Sequence, residues 1–253
     1  VPGALSRVRE LVKPARDKVR KKQYRERWWQ FAERAPGLAK GLRELDSVIA
    51  IVLTSDTIMP IRLPSSAIFS NSLGVFLFDD YETLCLMSSS LHQLWAMRWG
   101  SSLDAATRYT PSDVFETLPR PSSTERMNEL GCELDEKRRG IMLRRHLGLT
   151  GLYKLVNSPT TRSDADIDSI RWLHVQIDEA VMEAYGWTDV LLDHGFHSYR
   201  QMERWTVTPA ARVEILDRLL EENHRRAALE VQPQPKKRGK GLEESEKPEG
   251  AMF

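Results

Sequence analysis

Val48-Ile49-Ala50-Ile51-Val52-Leu53 is the stretch whose reading decides the fold. Six consecutive apolar residues, four of them β-branched, read as a buried strand, because branched side chains pack well on a pleated surface and lose rotamer freedom in a helix. Downstream, Ile58 to Leu63 is a second strand candidate. Pro60 and Pro64 confine it to an edge, since proline has no N–H to donate to a ladder. Ala67 to Phe78 carries Ile68, Phe69, Val75, Phe76, Leu77 and Phe78, with Asn71 and Gly74 marking a bend or a bulge. The result is a sheet of about three strands, too small to stand without a helical cover.

That cover follows directly. Leu84, Met87, Leu91, Leu94 and Arg98 fall on one stripe of a helix of four to five turns. Ser88-Ser89-Ser90 let another backbone approach it closely, and Gly100 is placed to cap its C-terminus. After Pro121 the chain reads as all-helical. Ser122 and Glu125 form a capping box ahead of Met127, Leu130, Leu134 and Ile141. Ile167, Ile170, Leu173, Ile177, Val181 and Ala184 define the next helix, which Gly186 ends. Thr208-Pro209 opens another, through Val213, Leu216, Leu219 and Leu220 to about Ala228.

On the N-terminal side, Leu5, Val8 and Val12 have helical spacing. Pro14 suits the first turn of a second helix running to about Phe31, with Trp28, Trp29 and Phe31 as an aromatic end. From Val231, two prolines, a Lys236-Lys237-Arg238-x-Lys240 run and an acidic stretch read as a disordered tail. The predicted architecture is α+β: a small mixed sheet of about three or more strands covered by helices, then a mainly helical portion and the tail.

Net charge is only +1, from 37 Lys+Arg against 36 Asp+Glu, which taken globally argues against nucleic acid. Its distribution argues otherwise. Residues 1–27 hold ten bases and three acids, whereas residues 46–121 hold four bases and eight acids. No stretch reaches the roughly 18 apolar residues of a membrane helix, so no membrane partner is expected. Cys85 and Cys132 alone exclude a disulfide framework and a four-thiolate zinc site. No apolar run follows the basic N-terminus as a signal peptide requires, and the expected location is cytoplasmic. The opening Val1 reads as an internal fragment or an unusual start.

The usual catalytic signatures are absent: no G-x-S-x-G, no Walker loop, no G-x-G-x-x-G and no H-E-x-x-H. Ser88 to Ser90 lie in a helical pattern with no base in view and read as packing. His194-x-x-His197 has metal-like spacing, yet a structural zinc takes four protein ligands, so turn or packing histidines are the better reading. The basic run around Lys18-Val19-Arg20-Lys21-Lys22 either contacts phosphates or is a solvated helix. In Arg108-Tyr109-Thr110-Pro111-Ser112-Asp113, Thr110 and Asp113 suit the start of a short helix begun by Pro111. Arg108 and Tyr109 then stand just before a helix N-terminus. This segment and Arg98-Trp99-Gly100-Ser101-Ser102 read equally as a base-reading or phosphate-holding surface and as a packed connector.

Three runs resemble a known family: Arg25-Glu26-Arg27-Trp28-Trp29-Gln30-Phe31-Ala32, Arg98-Trp99-Gly100-Ser101-Ser102, and Tyr109-Thr110-Pro111-Ser112-Asp113-Val114-Phe115-Glu116-Thr117-Leu118-Pro119. They are similar to the C-terminal half of large adenine-specific (N6) DNA methyltransferases, the type IIG and IIL restriction-modification proteins and their BREX- and DISARM-type phage-defence relatives. Leu147 to Tyr153, Ala184-Tyr185-Gly186-Trp187 and Asp193 to His197 look like the same family's tail. The resemblance spans about Arg16 to Arg226.

In that family the preceding half binds S-adenosylmethionine and positions a flipped adenine with an Asn-Pro-Pro-Tyr-type motif. This chain has no Asn-Pro-Pro and no glycine-rich cofactor motif. The resemblance therefore implies a target-recognition part with no cofactor site of its own. S-adenosylmethionine would belong to a missing catalytic half, and the chain alone would be inactive. Its implied partners are double-stranded DNA and the catalytic methyltransferase domain or subunit.

The implied division is a basic helical connector (1–45), an α+β target-recognition region (46–121), a helical region (122–230) and a disordered tail (231–253). Lys18, Arg20, Lys21, Lys22 and Arg25 would grip the DNA backbone. Ser55, Thr57 and Arg62 from the sheet and its loops, with Arg98, Arg108, Tyr109 and Ser112, would face the duplex. The alternative is a helical scaffold that binds other proteins of a defence complex.

Overall fold

The computed structural model describes residues 2–30, 35–103, 106–199 and 202–229. The expectations placed on Phe31 and on the tail after Val231 lie outside the described residues. At the N-terminal end stand α1 (Pro2–Leu11), α2 (Lys13–Asp17), α3 (Lys22–Glu26) and α4 (Pro36–Gly41). Pro14 does sit in the first turn of a helix, but that helix lasts five residues and no continuous helix runs on towards Phe31. Neither α2 nor α3 buries a residue. Without an apolar face to dock, nothing compensates for extending so short a helix.

β1 (Ser47–Val52) is the central strand, and residues 48–51 of it are 0–1% exposed, as a run apolar on both faces requires. After β2 (Thr54–Ser55), the strands β3 (Ile61–Pro64) and β4 (Leu73–Phe76) flank β1 in the order β3-β1-β4. Both pairings are antiparallel, with Ala50 opposite Ile61 on one side and Val75 on the other. The sheet expected to be mixed is thus antiparallel. Pro60 and Pro64 bound an edge strand, and of residues 67–78 only Leu73–Phe76 pair.

The single helix expected from Leu84 to Arg98 is two helices, α5 (Tyr81–Ser88) and α6 (Ser90–Trp99). Ser89 is extended at ψ 157°. Its Oγ accepts from the His92 N–H at 3.2 Å, and its own hydroxyl donates to the Leu86 carbonyl at 2.7 Å. A serine that satisfies backbone groups with its side chain offers the chain an alternative to helix, which a count of apolar residues does not register.

A second sheet is built from β2, β5 (Ser101–Leu103) and β6 (Ala106–Arg108), in the order β2-β6-β5. Gly100 does cap α6, in an extended rather than a left-handed conformation (φ −67°, ψ 148°). A Cβ on it would stand 2.5 Å from the Ala96 carbonyl and 3.0 Å from that of Arg108. Its smallness is what brings β6 close to α6. The one-turn α7 (Pro111–Val114) follows, and Thr110 makes no side-chain cap there.

The C-terminal part holds α8 (Glu125–Arg145), α9 (Leu149–Val156), α10 (Ala165–Tyr185), β7 (Gly195–Tyr199), β8 (Met202–Thr206) and α11 (Pro209–Leu229). Thr124, not Ser122, caps α8, accepting from the Met127 N–H at 3.2 Å. Gly186 ends α10 at φ 75°, the left-handed geometry that favours glycine. α8 and α10 run antiparallel, clamped at one end by Arg126 on Glu179 and Glu183 and at the other by Arg144 and Arg145 on Asp164 and Asp166.

The β7–β8 hairpin corrects the all-helical reading. Its two strands interrupt polar residues with only Phe196, Tyr199, Met202 and Trp205, too weak a pattern to declare a strand pair. The Arg171 guanidinium lies 5.0 Å from the Phe196 ring and 5.6 Å from that of Trp205 and holds the hairpin on α10.

α8 meets α5 through Gly131, where a Cβ would overlap the Tyr81 carbonyl. Gly131→Ala is therefore expected to destabilise the fold by about 1–3 kcal/mol, because backbone at both sides of the contact has to move. A urea titration would show the midpoint falling with unchanged slope.

Candidate nucleic-acid interface

Of the residues that the sequence singled out, the β2–β6–β5 sheet holds Ser55 and Arg108. Thr54, Arg108 and Ser101 lie in one cross-strand row, and all three are exposed. Side chains alternate across a strand, so the neighbouring position turns inward, and Thr107 is buried. A guanidinium is thus flanked by two hydroxyls on an open sheet face. Among the described residues the Arg108 side chain has no ion-pair partner. Ser101 belongs to the Arg98–Ser102 segment already read as a possible surface, and Thr54 is the addition to the expected set. The signal for Thr54 is the register alone, which no single segment carries.

Ser55 and Thr57 stand at the end of β2, and Ser55 Oγ accepts from the Thr57 N–H at 3.0 Å. This turn is tied to the hairpin by Arg204, which donates to the Asp56 carbonyl at 2.6 Å. Arg98 is exposed in the last turn of α6, three residues before β5 begins, with its guanidinium 5.1 Å from the Trp99 ring. Ser112 is exposed on α7 and donates to Asp113 at 3.0 Å.

Tyr109 corrects the expectation of a DNA-facing side chain. It is 2% exposed, and its hydroxyl pairs with Nε2 of the buried His92 at 2.9 Å. β6 ends by turning Tyr109 inward, because Arg108 takes the outer face. Arg62 stands apart on β3 of the other sheet, donating to the Asp79 carbonyl and the Tyr81 hydroxyl.

Lys18, Arg20, Lys21, Lys22 and Arg25 lie in a segment where no described side chain from Gly3 to Gln30 is buried. Their contacts are local: Lys22 to Glu26 at 3.5 Å, Lys21 over the Tyr24 ring, and Arg25 to the carbonyls of Val19 and Arg20.

Ser90 of the serine run and His194 of the histidine pair meet at a buried carboxylate, while His197 Nε2 lies 3.4 Å from the Asp193 carbonyl at the surface. Asp178 of α10, fully buried, accepts the Ser90 N–H at 2.6 Å and pairs with His194 Nε2 at 2.7 Å. Nearby, His174 Nε2 pairs with the Tyr153 hydroxyl at 2.7 Å. Burial lowers the pKa of both His92 and His174 to about 4, so neither imidazole is charged at neutral pH. Ser90 reaches Asp178 through its backbone and not its hydroxyl, which makes the carboxylate an anchor for the helix break. No cluster of three metal-binding side chains occurs among the described residues.

Compared with known proteins, the chain matches no family model and no curated protein. Among solved structures, 89% of the chain superimposes on part of MmeI, a type IIL restriction-modification enzyme solved in complex with DNA, with a TM-score of 0.59 and 19% sequence identity. The fold is shared with a restriction-modification enzyme. The chain spans about a quarter of MmeI, 26% of its length. At this identity the likeness to MmeI establishes architecture, in which a small antiparallel sheet precedes a largely helical part.

Proposed function

We propose that the chain is the DNA-binding target-recognition part of a site-specific adenine-N6 DNA methyltransferase of restriction-modification or phage defence. The likeness to MmeI, a protein solved on DNA, supports this reading over nearly the whole chain. The S-adenosylmethionine site and the transfer chemistry then belong to a separate catalytic part. On this reading the exposed Thr54–Arg108–Ser101 row faces base edges, while the basic N-terminal segment neutralises phosphates. Arginine suits such a row because its planar fork can take O6 and N7 of one guanine together.

Titration of labelled duplexes with the full chain, alone and with a catalytic methyltransferase part supplied, tests the proposal. Binding should weaken steeply with salt. Arg108→Ala should cost about 1–3 kcal/mol of duplex affinity and relax preference at one base position. Absence of duplex binding at low salt, even with the catalytic part present, overturns the reading.

A second reading, a protein-interaction subunit, is favoured by one observation. Trp172 and Leu191, 62% and 86% exposed, border a groove with Trp187 and Trp205. It predicts binding to a partner protein with no salt-dependent duplex binding.

A further inference from the structure

β6 pairs with β2 over two residues and with β5 over three. Ladders that short fix their register weakly, and a slip of one residue would turn every side chain of β6 to the opposite face. Backbone hydrogen bonds can re-form after such a slip, so only side chains tell the registers apart. Within β6 the contrast is small, since polar Thr107 is buried and polar Arg108 is exposed. The discriminating side chain stands one residue beyond the strand.

The Tyr109 hydroxyl meets Nε2 of the fully buried His92 at 2.9 Å, and the Tyr109 ring stands edge-on to Phe76, 6.2 Å between centroids at 88°. A buried hydroxyl and a buried imidazole both cost free energy when unpaired, so this contact disfavours any register that withdraws Tyr109. His92 is itself fixed. It lies in the first turn of α6, its N–H held by Ser89 Oγ at 3.2 Å, and the adjoining Ser90 N–H is held by Asp178 at 2.6 Å. The interruption between α5 and α6 thus gives the imidazole a set place at the end of β6.

We propose that His92 and Tyr109 are positioning residues for base discrimination: their buried hydrogen bond pins the register of β6 and so points Arg108 outward between Thr54 and Ser101. Both are buried and act through Arg108, without touching DNA themselves. The inference rests on the target-recognition reading of that row and adds the internal pair on which its selectivity depends.

The test uses the full chain, with a catalytic methyltransferase part supplied, and a pool of duplexes randomised in sequence, the bound fraction being sequenced. The position read by Arg108 is the one whose preference Arg108→Ala relaxes. Tyr109→Phe keeps the ring and removes the hydroxyl. It should lower the preference at that same position about three- to tenfold, the range that loss of one neutral hydrogen bond spans. Preferences elsewhere and the salt slope of binding should match the parent's. His92→Phe should behave alike, and the double variant should lose no more than either single one, as one shared contact requires. His92→Gln, whose amide can pair with the hydroxyl, should restore most of the preference. Gly131→Ala, which strains the contact of α8 with Tyr81, is the comparator for a merely weakened fold, and its base preferences should equal the parent's. Full preference in Tyr109→Phe, or an equal loss in Gly131→Ala, overturns the proposal and leaves the pair as packing. If the parent binds no duplex, or Arg108→Ala relaxes no position, the target-recognition reading of the row falls and this inference falls with it.

Discussion

Asp178→Ala is expected to lower folding stability by about 2–5 kcal/mol, the cost of leaving two buried hydrogen-bonding partners without their acceptor. Asp178 is fully buried, and its two oxygens serve different elements. One holds the Ser90 N–H where α5 gives way to α6, and the other holds His194 ahead of the β7–β8 hairpin. Alanine would strand a buried N–H and an imidazole together. Set against the roughly 5–15 kcal/mol that stabilises a typical domain, the variant should be populated in unfolded form under mild denaturant. Equilibrium urea unfolding measures this directly. Asp178→Asn, whose amide oxygen can still accept from Ser90, should retain more stability than alanine. A stability within about 1 kcal/mol of the parent would mean that Asp178 does not anchor the break.

The second large effect concerns binding. Replacing Lys18, Arg20, Lys21 and Lys22 together by glutamine should lower the salt slope of duplex binding by about three to four, near 0.9 for each phosphate no longer neutralised. By the same counterion argument, affinity near 0.1 M salt should fall on the order of a thousandfold. Folding should be untouched, since no described side chain from Gly3 to Gln30 is buried. The paired measurements are fluorescence anisotropy at several salt concentrations and a urea midpoint. An unchanged slope would identify the segment as a solvated helical arm.

Much of this architecture was legible in the chain because its decisive signals are local. An unbroken apolar run from Val48 to Val52, β-branched but for Ala50, has one comfortable environment, and prolines at 60 and 64 have one place in a sheet. Gly186 announced its left-handed cap in the same way. What stayed hidden depends on partners far apart in sequence. The break at Ser89 is stabilised by Asp178, 88 residues on from Ser90, while the apolar stripe from Leu84 to Leu94 runs across it undisturbed. Tyr109 has the composition of a surface reader, and only the pairing of β6 with β2 and β5 reveals that it turns inward. The same pairing aligns Thr54 with Arg108 and Ser101 in one row, an alignment that the separate segments do not announce.

Leu53 joins the two sheets. Its N–H goes to the Ser72 carbonyl beside β4, and its carbonyl takes the Tyr109 N–H at 2.7 Å where β6 ends. Thr54 pairs with Arg108, more than fifty residues downstream. Closing a loop of that length costs entropy, which the docking of the intervening helices α5 and α6 lowers by shortening the free chain between the two strands. The exposed row therefore depends on contacts far apart in sequence. A row contributed by three strands exists only once all three have paired, and a partly folded chain carries Thr54, Ser101 and Arg108 without their alignment.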